Sequence, residues 1–179
     1  MKKTASFLIF SFAATTLLAG LTAASAQESV NAGEFAFSYG PPWKNKPVSS
    51  SMRVAELTYD IADEKLADVD LVFFHFPGGG GGTQANLDRW VKQFEGQPVT
   101  ESSVESFGAN KVHFLQVKGT YLDGPPFGGT KTPREGYMML AAVVESEKGS
   151  VFLKMTGPEA SVEAAKAAFK TLSVSPFKK

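Results

Sequence analysis

The stretch with the most direct claim to chemistry is "PGGGGGTQANLDRWVKQF", Pro77 to Phe94, in which five consecutive glycines follow an apolar run and precede a helical pattern. Strand, glycine loop and helix is the order of a phosphate-binding site, where backbone amides and the helix N-terminus meet an anion. The ATPase-type loop also needs a lysine and a hydroxyl directly after its last glycine, to neutralise the terminal phosphates and to hold magnesium. Here Gly82 is followed by Thr83 and Gln84, and no lysine occurs before Lys92. The dinucleotide fingerprint is matched trivially by any run of five glycines, and its βαβ context and ribose-binding acid are missing. The glycines therefore read as a flexible surface turn into a helix capped by Thr83, with no cofactor expected.

The other residues with chemical potential are scattered. His75 and His113 each fall inside a strand pattern, with no second ligand at metal-binding spacing, and read as structural histidines; no metal is expected. Asp68, Asp70, Glu101 and Glu105 have no helix or loop motif to bring two carboxylates together, and read as solvated strand-end charges. Serine is plentiful, but no Gly-x-Ser-x-Gly elbow occurs. No catalytic residue is assigned.

Residues 1–26, "MKKTASFLIFSFAATTLLAGLTAASA", combine Lys2 and Lys3, an apolar stretch and the small triplet Ala24, Ser25, Ala26. This is the pattern of a cleaved signal peptide, with Gln27 as the new N-terminus. A periplasmic or secreted protein without a membrane anchor after cleavage is expected. The absence of cysteine excludes disulfides, thiolate chemistry and a lipid attached to a cysteine at the cleavage site. Removing 26 of 179 residues leaves 153, which suits one domain over 27–179. The mature chain carries 16 Lys and Arg against 18 Asp and Glu, a balance that does not recommend nucleic acid as a partner.

Apolar periodicity predicts the elements. Strands are expected at "EFAFSY" (34–39), "MRVAELTYDI" (52–61), "DVDLVFFHF" (68–76) and "KVHFLQVKGTYL" (111–122), with a weaker one at "VTESSVESF". "YMMLAAVVES" and "SVFLKMT" flank Lys148 and Gly149 as a hairpin. Leu87, Trp90, Val91 and Phe94 at i, i+3, i+4 and i+7 predict a helix, and Val162, Ala165, Phe169 and Leu172 predict a second that begins near Pro158. Strands, helix, strands, helix predicts an α+β domain in which strands adjoining in sequence pair antiparallel and helices cover the sheet.

Trp43 after a first strand and a proline-rich turn, "NLDRWVKQF", "VKGTY" and "VFLKMTGPEASVEAAKAAFKTLSVS" together resemble the PsbP and Mog superfamily, over most of residues 32 to 175. The resemblance implies an antiparallel sheet between helices, in an α/β/α layered arrangement, and within the superfamily the chain resembles small exported bacterial proteins of uncharacterised function. It also implies a binding or assembly role without catalysis. Unlike the superfamily's lipoproteins, this chain has no cysteine to lipidate.

The one long stretch without periodicity is "DGPPFGGTKTPREG", Asp123 to Gly136. Tyr121, Phe127, Lys131 and Arg134 gather aromatic and basic groups there, and form the candidate recognition loop for a protein partner. The competing readings are a small-ligand carrier with a pocket between the sheet and one helix, and an enzyme using residues dispersed over the sheet.

Overall fold

The computed structural model describes residues 27–125 and 128–178; the expected signal segment lies outside them. Nine strands and two α-helices follow in the order β1 (Glu28–Ala32), β2 (Phe35–Tyr39), β3 (Trp43–Lys46), β4 (Ala55–Tyr59), β5 (Val69–Phe76), α1 (Thr83–Val91), β6 (Val99–Phe107), β7 (Asn110–Asp123), β8 (Thr132–Val144), β9 (Ser150–Pro158) and α2 (Glu159–Ser173). Seven strands form one antiparallel sheet in the order β3-β4-β5-β9-β8-β7-β6, and β1 pairs with β2 in a separate ribbon.

The apolar strands occupy the middle. From Met138 to Val144 every residue of β8 is buried, because β8 lies between β7 and β9 and is covered on both faces. Its alternate residues enter different cores. Met138, Leu140, Ala142 and Val144 join Val162, Ala165, Phe169 and Leu172 of α2, while Met139, Ala141 and Val143 join Leu87 and Trp90 of α1 and Phe94 just beyond it. The β1–β2 ribbon closes the first core, where the Phe35 ring meets Phe177 at 5.4 Å and Ser38 N–H donates to Ser175 Oγ at 2.9 Å.

Several elements differ from expectation. The two short polar strands β1 and β3, "ESVNA" and "WKNK", carry little apolar alternation and are held by their partners. "VTESSVESF" is a full nine-residue strand at the sheet edge, exposed along most of its length and covered only near its end, where Phe107 stacks on Phe177 and Glu105 pairs with Lys170. β9 pairs with β5 as well as β8, so the last strand enters at the middle of the sheet and separates β5 from β6, the strand that follows it in the chain. Pro158 occupies the N-cap of α2 with φ −53° and ψ 138°, one residue before the helix.

The stretch 123–136 is not a long loop. β8 starts at Thr132, and Leu122↔Pro133 and Asp123↔Thr132 pair across it, so cross-strand bonding carries the ladder through a proline and a glycine that weaken strand propensity. What remains is a hairpin tip.

Candidate functional site

The β7–β8 ribbon runs past its sheet neighbours. β6 begins opposite Lys118 and β9 ends opposite Tyr137, so the arms beyond Gly119 and Tyr137 pair mainly with each other. A register shift between Gly119 and Tyr121 bends the ribbon at its root. The segment after α1 braces that root: Leu122 N–H donates to Gln93 O at 2.8 Å and Glu95 N–H to Thr120 O at 2.9 Å. Every described residue from Asp123 to Gly136 is exposed.

The four residues proposed for recognition are placed differently. Tyr121 is in β7, half-buried, against Phe94 (5.4 Å between ring centroids) and parallel to Tyr137. Burial, and then the charge of Asp123, push its hydroxyl pKa up. Arg134 is exposed on β8 and pairs with Asp123 at 3.4 Å. Lys131 is exposed at the tip, and its ammonium donates to the Pro125 carbonyl. Phe127 lies outside the described residues. Tyr121 thus belongs to the ribbon's root, and Lys131 and Arg134 to its projecting part.

Beside Tyr121 stands Lys154 of β9. Its Nζ donates to Gln93 Oε1 at 2.5 Å, lies 3.5 Å from Tyr121 Oη and sits 5.4 Å from the centre of that ring. Burial, reinforced by the positive charges of Arg53 and Lys131 and opposed by Asp123, lowers its pKa to about 8. The nearby carboxylate of Glu56 is engaged elsewhere: it is 1% exposed and accepts from Ser49 N and Oγ and pairs with Arg53 at 3.0 Å. Burial favours protonation of Glu56, but the Ser49 bonds and Arg53 outweigh it and its pKa is lowered.

The glycine run forms a tight turn. Gly78, Gly80, Gly81 and Gly82 have φ between 58° and 90°, which side-chain-bearing residues rarely adopt. Asn86, buried in α1, donates its amide hydrogens to Gly80 O at 2.9 Å and Gly82 O at 2.7 Å and so grips the turn. The expected cap is corrected. Gly82 is the N-cap residue, and the Thr83 hydroxyl instead donates to Glu145 Oε1 at 2.5 Å, because the turn brings that carboxylate over the start of α1. His113 Nε2 approaches the same Glu145 oxygen at 3.2 Å without hydrogen-bond alignment. The carboxylate thus stands between the Thr83 hydroxyl and the His113 imidazole. The open hollow beside the turn, about 810 Å³, is rimmed among the described residues by Glu34, Glu145 and Glu147 against the single cation Lys148, which pairs with Glu34, so the rim is net acidic and disfavours phosphate.

No family model and no curated protein matches this chain by sequence. Among solved structures, the cyanobacterial PsbP protein CyanoP from Synechocystis superposes with a TM-score of 0.54 at 14% identity, covering 89% of this chain and 96% of that one. The chain has a PsbP-like fold. LpqN from Mycobacterium tuberculosis, involved in cell envelope biogenesis, matches with a TM-score of 0.42 at 14% identity over 86% of this chain and 84% of its own. A Pseudomonas aeruginosa protein of unknown function matches at 0.39 and 12%, over 81% and 92%.

Within this PsbP-like fold the other candidate groups stay apart. Asp68 accepts from Ile61 N–H at 2.9 Å and Asp70 pairs with Lys46, both near the start of β5. Glu101 and Glu105 are on β6, the far edge of the same sheet, where Glu105 pairs with Lys170 at 2.6 Å. His75 is on β5, with a buried Nε2 that has no hydrogen-bond partner among the described residues. Lys154, Gln93 and Arg53 escaped the sequence reading. The usable signal was a lone lysine in "SVFLKMT", an apolar strand whose neighbours on both sides are buried.

Proposed function

We propose that this is an exported, non-catalytic binding or assembly protein that engages a protein partner through the β7–β8 ribbon. The observation that carries the reading is the ribbon itself. Its arms from Asp123 to Gly136 are exposed at every described residue, and a two-stranded ribbon of this kind is only marginally stable without further support. The ordered root, with Tyr121, Tyr137 and Phe94 packed together, holds the tip at a fixed angle to the body, which lowers the entropy lost on docking. The alternation of the two cores along β8 supports the α/β/α layering, with α2 on one face and α1 on the other. The signal-peptide pattern supports a periplasmic or secreted location, and no helix among the described residues is long and apolar enough to cross a membrane.

The test is site-specific photocrosslinking in the producing cell. A crosslinker at Lys131 should capture one discrete protein, and the same group at Lys44, on the opposite edge strand, should not. Combined Lys131→Glu and Arg134→Glu should weaken that complex by about tenfold, or about 1.4 kcal/mol, at an unchanged melting temperature. Equal capture from both positions, or none from Lys131, removes the ribbon as the recognition surface.

The enzyme alternative has one observation in its favour. Lys154 carries an amine that is substantially unprotonated near pH 8, as addition to a carbonyl carbon with loss of water requires. Cyanoborohydride trapping of a glyoxylate adduct at Lys154 alone favours that reading. Uniform labelling of surface lysines rejects it.

A further inference from the structure

A second feature lies between α2 and the β6–β7 edge of the sheet. There a half-open hollow of about 170 Å³ has an apolar floor of Phe114, Leu140 and Phe169. Gln116 of β7 reaches this hollow. It is only 6% exposed, and its Oε1 is buried with no hydrogen-bond partner among the described residues. A buried amide oxygen with no partner is uncommon, because leaving it unpaired forfeits the water it bonded when unfolded. An occupant that donates a hydrogen bond at this point removes the deficit.

The walls of the hollow are polarised. On the sheet side, Glu101 stands directly opposite Gln116 in the β6–β7 register, so two acceptors sit side by side. On the helix side stand Lys166 and Lys170. Lys170 is already engaged, paired with Glu105 at 2.6 Å and 5.8 Å above the Phe114 ring. Among the described residues Lys166 has only Glu163, at 3.8 Å on its own helix, a distance and exposure at which the pairing contributes little. One wall therefore accepts and the other donates, across an apolar floor.

We propose that this hollow binds a small zwitterion with an apolar side chain, of the free α-amino acid class. The ammonium bonds Gln116 Oε1 and Glu101, the carboxylate faces Lys166, and the side chain lies on Phe114, Leu140 and Phe169. The volume excludes larger ligands, since pockets for drug-sized molecules span roughly 300–1,000 Å³. A simple carboxylate leaves Gln116 Oε1 unpaired and meets Glu101, and a simple amine meets Lys166, so each half of the zwitterion alone is disfavoured.

Isothermal titration of the mature chain with L-leucine, isocaproate and isoamylamine tests the assignment. These three share one hydrocarbon skeleton and differ in charged groups. L-Leucine should bind saturably and each single-charge analogue about tenfold more weakly or worse. Glu101→Gln and Lys166→Ala, both at solvent-accessible positions, should each weaken L-leucine about tenfold, and Gln116→Leu should do the same while raising the melting temperature. Absence of saturable heat with L-leucine overturns the proposal, as does equal binding of isocaproate. Binding that is indifferent to all three substitutions places the ligand elsewhere and also overturns it.

Discussion

The rings of Tyr121 and Tyr137 lie parallel, 5° apart in plane and 6.1 Å between centroids, at the point where the β7–β8 ribbon leaves the sheet. Lys154 reaches the same Tyr121 ring from β9, so the ribbon's root is fastened to the central strands by an aromatic stack and a cation together. Parallel aromatic pairs contribute on the order of 0.5–1.5 kcal/mol beyond their buried area. Tyr137→Ser should therefore loosen the ribbon before it destabilises the body, seen as faster amide exchange at Leu122 with little change in exchange at Leu153. Equal acceleration at both sites would show that the stack supports the whole sheet.

Lys154 sets a pH dependence of definite sign. Its folded pKa, about 8, is below the unfolded value of 10.5, so between those values the unfolded chain binds more protons and stability rises with pH. Below pH 8 both states are protonated and the full penalty of the buried ammonium is present. Lys154→Met should then stabilise the protein by about 1–2 kcal/mol at pH 7, after loss of the Gln93 bond is counted. The gain should shrink as pH climbs from 8 towards 10.5, as denaturant titrations at several pH values would reveal.

Glu56 behaves oppositely. Its folded pKa is depressed, so its contribution is present above the unfolded value of 4.5 and disappears as pH falls through the folded one. Glu56→Gln should cost about 1–3 kcal/mol at pH 7 by weakening the Ser49 and Arg53 interactions. The difference from the parent should narrow below pH 4.5, and a constant difference would show that shape alone is at stake.

Trp90 is 7% exposed and meets Phe152 edge-on at 6.2 Å between centroids. Trp90→Ala should cost about 3–5 kcal/mol through lost burial and the cavity left behind. Chemical denaturation monitored by far-UV circular dichroism measures it.

The glycine run is less tolerant than a spacer. Gly80 has φ 58°, and a Cβ there would stand 3.1 Å from the Phe76 ring and 3.2 Å from that of Phe152. Removing two glycines displaces the carbonyls that Asn86 holds, so the deletion should cost about 2 kcal/mol or more. An unchanged melting temperature would mean that the turn re-forms with fewer residues.

The elements that could be read from the sequence are those whose burial is one-sided or complete. Leu87, Trp90 and Phe94 repeat at helical spacing, and Val69, Leu71 and Phe73 alternate, so α1 and β5 declare themselves. β1 and β3 do not, because short polar strands are made by their partners. Thr132–Gly136 was concealed by Pro133 and Gly136, since local propensity there opposes a pairing that only the register with β7 explains. Gln116 and Lys154 were concealed differently. Each is one polar residue in an apolar strand, and its significance depends on what stands across from it: a carboxylate and a helix for Gln116, a tyrosine and a glutamine for Lys154.

The position of β9 has a consequence for how the chain is made. The strand at the middle of the seven, hydrogen-bonded to β5 on one side and β8 on the other, comes from residues 150–158 and is the last of the seven in chain order. A nascent chain lacking those residues holds two partial sheets with no common centre: β3, β4 and β5 in one, β6, β7 and β8 in the other. The body cannot close around its core until residues 150–158 have been made. A truncation before Ser150 removes the keystone and not an edge, and should leave a chain that is soluble only with assistance, whereas loss of β3 would trim the sheet from outside.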